Sequence, residues 1–83
     1  MPKPTMSEAF ASVLRKHRTA KGLSQELLAE KANLTNHIGL IERCLRNPSL
    51  DVAVAIAKAL GKTLSELIEE AEKGQTKTGS DTH

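Results

Sequence analysis

Aromatic residues are almost absent from this chain. Among its 83 residues Phe10 is the only aromatic one, and there is no Trp or Tyr. A core without large rings has to be built from Leu, Ile, Val and Ala, which suits packed helices. The same absence argues against the stacking platforms with which proteins hold single-stranded nucleic acids.

Long apolar runs and paired cysteines are also missing. The longest apolar run, 52–57, is far shorter than a membrane span, and the amino terminus lacks the apolar core of a signal peptide. Cys44 is the only cysteine, so it has no partner for an internal disulfide or for a metal pair with a histidine. We therefore expect a cytoplasmic protein with no membrane partner, no metal and no other cofactor.

Catalytic groups do not form any known pattern in this sequence. There is no Ser or Cys with an evident base partner, no framed pair of carboxylates and no glycine-rich phosphate loop. His17 is expected to be a half-buried core residue and not a ligand or a base. We predict that the chain is not an enzyme and has no catalytic residues.

Charge is distributed unevenly along the chain. Residues 1–48 contain eight Lys or Arg against four Asp or Glu, a balance of +4, whereas residues 49–83 contain four against six, a balance of −2. A polyanion such as DNA would be attracted to the first half, with an affinity that falls as salt increases.

Capping residues divide the chain into five helices. Each predicted start has a Ser or Thr whose hydroxyl can accept a hydrogen bond from a free amide of the first turn. These residues are Thr5, Ser24, Thr35, Ser49 and Thr63. No strand is required, so we predict an all-α fold with an N-terminal arm at 1–5, one domain at 6–71 and a flexible tail at 72–83.

The segment 22–49 has the pattern of two short helices joined by a tight turn. Ala29 is small enough for close contact between helices that cross steeply, and Asn33 tolerates the left-handed conformation of a sharp helix exit. Leu34 can fill the corner between the two helices. In the second helix Ile38 and Ile41 point inward. This pattern is typical of a helix-turn-helix that reads DNA.

Five short motifs resemble one family. In chain order they are GLSQ at 22–25, LAEK at 28–31, IER at 41–43, RNPSL at 46–50 and IAKALG at 56–61. Together they resemble the xenobiotic-response-element type of helix-turn-helix regulator, the class of phage repressor and Cro proteins. The resemblance covers roughly residues 11–68 and implies a five-helix Cro/C1 repressor-like DNA-binding domain. The run at 39–50 is similar to that of stand-alone restriction-modification controller proteins.

The resemblance implies roles for residues on the DNA side of the domain. Those at the beginning of the recognition helix, near 35–43, would contact base edges in the major groove of double-stranded DNA. They are Thr35, Asn36, His37 and Leu40. Residues at the start of helix two and after the recognition helix would contact the phosphate backbone. They are Ser24, Gln25, Arg43, Arg46 and Asn47.

Simpler interpretations of the same residues stay open. Thr35 and Asn36 could only cap the recognition helix, and Leu40 could pack on a neighbour. The arginines that follow could form weak surface pairs with Glu42 or with an aspartate. Arg15 and Arg18 of helix one are expected to form a solvated face, although Arg18 could instead pair with Glu42 and so tie helix one to the recognition helix.

The chain departs from the family pattern in two places. Ile38 follows Ala29 one residue sooner than in the family, so either the turn absorbs the missing residue or the reading face rotates by about 100°. Cys44 stands where the family usually has glycine, and we expect either a positive φ there, at a cost of about 1 kcal/mol, or a slightly different exit from the helix.

A single helix-turn-helix reads few base pairs, so we expect a homodimer on a palindromic operator. The predicted dimer interface consists of Leu60, Leu64, Leu67 and Ile68, although these residues, Leu60 and Leu64 above all, could instead close the core of a single chain. Such a dimer would repress by covering a promoter or activate by touching RNA polymerase. Two other classes remain: an antitoxin that binds a toxin protein, and a protein-interaction module on the same fold.

Overall fold

The computed structural model describes residues 4–34 and 37–80 of the chain. Within these ranges the protein forms five α-helices and no strand. They are α1 (Met6–Ala20), α2 (Gln25–Lys31), α3 (His37–Glu42), α4 (Leu50–Ala59) and α5 (Leu64–Ser80). The all-α, five-helix fold predicted from the sequence is confirmed.

The helices begin where the sequence places their caps. The hydroxyls of Thr5, Ser24, Ser49 and Thr63 each accept a hydrogen bond from the backbone N–H three residues later, at 3.0–3.2 Å. After Thr5 and Thr63 the third residue is a glutamate that accepts from the cap's own N–H, at 2.7 and 2.8 Å, and completes a capping box. The predicted cap at Thr35 lies outside the described residues.

Two non-glycine residues end helices in the left-handed region. Asn33, after α2, and Cys44, after α3, both have a φ of 59°. At each exit the next backbone N–H turns back to a carbonyl of the last helical turn, from Leu34 to Ala29 at 2.7 Å and from Leu45 to Leu40 at 2.9 Å. The positive φ predicted for Asn33 and Cys44 is therefore confirmed.

One hydrophobic core joins all five helices. The large side chains with almost no exposed surface are Leu14, Leu28, Ile38, Ile56, Leu60 and Leu67. Ala29 is also buried, and Leu34 is half-buried against the core at the corner between α2 and α3. These two residues occupy the places that the sequence predicts for them.

The predicted dimer interface needs a correction. Leu60 and Leu67 are 1% and 0% exposed, because they close the core of a single chain, and they have no surface left for a partner. Leu64 and Ile68 are half-buried and pack against the edge of that core. An apolar stripe shows that a helix face is covered, but the same stripe fits coverage from within the chain or by a second copy.

The C-terminal boundary predicted after Ala71 does not coincide with the end of α5, which continues to Ser80. Good helix formers such as Lys73 and Gln75 follow Ala71, and they extend a helix that is already nucleated and packed. The Gln75 side chain donates to the Pro4 carbonyl at 3.3 Å, so this extension touches the start of the chain. Residues 1–3 of the predicted arm and 81–83 of the predicted tail lie outside the described residues.

A carboxylate on α5 ties that helix to α1. Glu70 accepts from Lys16 Nζ at 2.7 Å and lies 2.8 Å from His17 Nε2. The hydrogen bonds from Lys16 and His17 lower the pKa of Glu70 to about 2. His17 is half-buried, as predicted, and holds the two helices together.

Candidate nucleic-acid interface

An ion pair beneath the surface fixes α3 to α1. Arg18 Nε and Nη2 donate to the two carboxylate oxygens of Glu42 at 2.6 and 3.0 Å, and Arg18 Nη1 donates to the Leu23 carbonyl at 2.8 Å. The Glu42 side chain is only 4% exposed and that of Arg18 12%. The hydrogen bonds to Glu42 raise the pKa of Arg18, partly offset by desolvation. Arg18 therefore does not form the solvated face expected for it but takes the other predicted role, the link between helix one and the recognition helix.

The first residue of α2 joins the same network. Gln25 Nε2 donates to Glu42 Oε1 at 3.0 Å, while the rest of the Gln25 side chain lies at the surface. A carboxylate accepts but cannot donate, so the amide nitrogen of Gln25 must face Glu42. Glu42 therefore sets the spacing of α1, α2 and α3 with one side chain.

An open groove runs between α2 and α3. Gln25, Leu40 and Arg43 line it, so the structure brings together three of the residues that the sequence assigned to DNA contact. Glu26 and Glu30 of α2 lie along the same groove. Carboxylates at this position disfavour close approach of a phosphate to that side of α2.

The register of α3 bears on the effect of the short turn. Ile38 and Ile41 are 1% and 2% exposed, so α3 turns the expected side toward the core. The described part of α3 therefore keeps the register predicted from Ile38 and Ile41, despite the short segment that joins it to α2. Thr35 and Asn36, two of the predicted base contacts, lie in that segment outside the described residues.

The two described base-contact candidates are both half-buried. Leu40 lines the groove beside Arg43. The Nδ1 atom of His37 is buried and has no hydrogen-bond partner within the described residues. A buried polar nitrogen without a hydrogen-bond partner is costly, and among the described α3 side chains only His37 carries one.

The loop after α3 exposes two arginines. Arg43 and Arg46 are exposed and form no salt bridge within the described residues, and Glu42, one suggested partner, is occupied by Arg18. Arg43 Nε donates to the carbonyl of Gly39 in the preceding helix, α3, at 3.3 Å. The Arg43 side chain thus lines the groove without an acidic partner, and the Arg46 side chain is exposed in the loop that follows.

Asn47 has a structural contact that the sequence did not predict. Its Oδ1 accepts from Ser7 Oγ at 2.7 Å, and Cys44 Sγ lies 3.9 Å from the Ser7 carbonyl. Ser7, near the start of α1, therefore anchors the arginine loop. No local signal indicates this pair, because its members are 40 positions apart in the chain.

Other kinds of site find no support in the described part of the chain. No group of three or more His, Cys, Asp or Glu side chains there could hold a metal ion. No helix there is both long and apolar enough to cross a bilayer.

Comparison with known proteins matches this arrangement to one family. The model of the family described as Helix-turn-helix matches residues 14–67. Control protein C.SmaI of Serratia marcescens is 38% identical over 64 residues, which cover 76% of each chain.

Solved structures give the same result. The restriction-modification controller protein C.AhdI of Aeromonas hydrophila is 44% identical, with a TM-score of 0.71 over 74% of this chain and 94% of that one. The clp gene regulator ClgR of Corynebacterium glutamicum has a TM-score of 0.85 at 25% identity, covering 96% of this chain and 86% of that one.

Proposed function

The chain belongs to the helix-turn-helix family, and from this premise we propose that it binds a palindromic operator in double-stranded DNA as a two-fold dimer. It is a DNA-binding regulator similar to restriction-modification controller proteins, and not an enzyme. In the proposed complex α3 enters the major groove, and the dimer controls transcription from the promoter beside or beneath its operator.

One observation supports this proposal above the others. Gln25, Leu40 and Arg43 share a single groove, and the loop that follows adds the exposed Arg46. When α3 lies in the major groove of DNA, these arginines can form paired hydrogen bonds to the phosphates that border it. Gln25, in the first turn of α2, donates to a backbone phosphate. The Ser24 hydroxyl instead accepts from the Leu27 N–H and caps that helix.

Base reading is assigned to the leading end of α3. Thr35, Asn36, His37 and Leu40 remain the proposed base contacts, since the first turn of a recognition helix penetrates deepest into the major groove. Leu40 suits the methyl group of a thymine, and a base contact by His37 would have to use the edge of the ring opposite its buried Nδ1. Asn47 contributes by holding the loop through Ser7.

The proposed dimer contact uses apolar surface that one chain leaves uncovered. Leu64 and Ile68 remain candidates at the edge of the core. On α4, Leu50 is 78% exposed and Val54 37%, and their spacing of four places them on one side of the helix. Burial of such side chains by a second copy would remove them from water, with a gain of about 1.5–3 kcal/mol for each one fully buried.

DNA binding is tested by footprinting on the DNA next to the protein's own gene, with gel-shift titrations at several salt concentrations. We expect a protected palindrome. Arg46→Ala should weaken binding to every duplex and reduce the salt slope by about one unit. Arg15→Ala, an exposed α1 arginine outside the proposed contact set, is the matched control and should change neither value. Binding that does not respond to salt would contradict the proposal.

The assembly is tested by light scattering after size exclusion. The wild-type chain should elute as a dimer, and Leu50→Glu should shift it toward the monomer. Operator binding should weaken as well, because the two DNA-binding domains are then no longer joined. A monomeric wild type that protects a palindrome would refute the dimer. Stable co-purification with a second protein and no affinity for DNA would favour an antitoxin or interaction module instead.

A further inference from the structure

Gly39 is an unfavourable residue for its position. It lies inside α3, a helix of only six residues, where the glycine backbone is more difficult to order than that of alanine. A glycine in a helix interior lowers the helical population about fivefold relative to alanine. The loss needs a reason, because Gly39 does not adopt a positive φ.

The reason lies in what passes over Gly39. A Cβ atom at this position would lie 3.0 Å from Gln25 Oε1, 3.6 Å from its Cδ and 3.9 Å from its Nε2. The three nearest atoms thus all belong to one carboxamide. That group lies against the backbone of α3 in the space that a side chain at position 39 would occupy.

The same carboxamide is held in place from its other end. Gln25 Nε2 donates to Glu42 at 3.0 Å, and Glu42 is fixed by two hydrogen bonds from Arg18. One N–H of the amide is therefore engaged with Glu42, and the second is left for another acceptor. A side chain with three rotatable bonds is restricted in this way to one orientation at the mouth of the groove.

We propose that Gly39 is a positioning residue for Gln25. Its missing side chain lets the carboxamide lie flat on α3, with one N–H bound to Glu42 and the other presented to a DNA phosphate. The inference rests on the proposed function, since it assigns Gln25 a phosphate as its ligand. A methyl group at position 39 requires the carboxamide to shift by a few tenths of an ångström, which strains its hydrogen bond to Glu42 and turns its second N–H, while the end of a flexible side chain can yield without disturbing the fold.

The test compares stability with DNA affinity in a mutant cycle. The variants are Gly39→Ala, Gln25→Ala and the double substitution, each titrated with a random-sequence duplex at low salt. We expect Gly39→Ala to weaken binding about tenfold, the effect of one hydrogen bond to a charged group, while its Tm stays equal or rises. In the Gln25→Ala background the second substitution should cause no further loss of affinity.

A matched control is available in α5. Gly74 also lies within a helix, and a Cβ added there would meet no atom within 4 Å. Gly74→Ala should therefore raise helix stability in the same manner and leave DNA affinity unchanged. The side-chain amide signals of Gln25 in an NMR spectrum report directly on its orientation, and they should move toward those of a free glutamine only in Gly39→Ala.

Any of the following results would overturn the inference. Unchanged affinity in Gly39→Ala would show that the position of Gln25 does not matter for binding. A further loss in the Gln25→Ala background would show that DNA itself approaches Gly39. A lower Tm would mean that the added methyl meets fixed structure instead of a movable side chain. Failure of the wild type to bind any duplex would instead refute the proposed function and, with it, this role.

Discussion

Removal of Arg18 tests whether a buried ion pair holds the helices together. In Arg18→Met the Glu42 carboxylate, 4% exposed, loses two hydrogen bonds and its counter-charge and keeps only the bond from Gln25. The Leu23 carbonyl loses its bond from Nη1 as well. An uncompensated buried charge costs about 3–5 kcal/mol. This is a large part of the total for a chain of 83 residues, about 4–12 kcal/mol.

The loss is measured by urea denaturation, followed by circular dichroism because the chain contains no Trp or Tyr. With a slope of about 1 kcal/mol per molar urea, the midpoint should fall by about 3–5 M, and Tm by about 12 °C or more. Arg15→Met is the matched control, since Arg15 is exposed on the same helix, and it should change stability by less than about 0.5 kcal/mol.

The double variant Arg18→Met, Glu42→Met separates charge from packing. With both charges gone, no buried ion lacks its partner, and we expect most of the lost stability to return. A single variant within about 1 kcal/mol of the wild type would refute the reasoning. So would a double variant as unstable as the single one, because the cost would then come from lost side-chain packing.

Three further predictions concern single side chains. Because its partners lower the pKa of Glu70 from 4.5 to about 2, Glu70 stabilises the fold above pH 4.5 and loses this effect as pH falls from 4.5 toward 2. Glu70→Gln should therefore lower Tm near neutral pH and reduce its acid dependence, and an unchanged Tm profile would contradict this. Cys44→Gly should gain about 0.5 kcal/mol in urea denaturation by relieving the positive φ, with a smaller gain for Asn33→Gly since Asn tolerates that region. Ser49→Ala should cost about 1 kcal/mol by removing the cap of α4, and no loss would argue against that hydrogen bond.

Local chemistry explains why much of the fold could be predicted. A hydroxyl at Ser24 or Ser49 caps the next helix using atoms within three residues, so the signal and the structure occupy the same short segment. Asn33 and Cys44 adopt positive φ because the chain must turn sharply there. The inward register of Ile38 and Ile41 follows from helical period alone.

The site was predictable in part, through charge and the family pattern. The pair Arg18–Glu42, which the sequence offered beside a solvated face, is formed, and Gln25, Leu40 and Arg43 line one groove, while their contacts with DNA stay predictions. The contact of Ser7 with Asn47 and the place of Gln25 above Gly39 were not. Those contacts depend on how the helices pack against one another, and the residues nearby in the chain do not indicate that packing.

Taken alone, the amino-acid order determined where four of the helices start, which side of the helices is apolar, and how charge is divided between the two halves of the chain. These properties follow from short-range hydrogen bonding, helical geometry and net charge. Tertiary structure alone decided that Leu60 and Leu67 face the inside of one chain, and that Glu42 serves Arg18 and Gln25 together. An apolar or charged side chain specifies the kind of neighbour it needs, and only the packing of the helices selects which neighbour comes within reach.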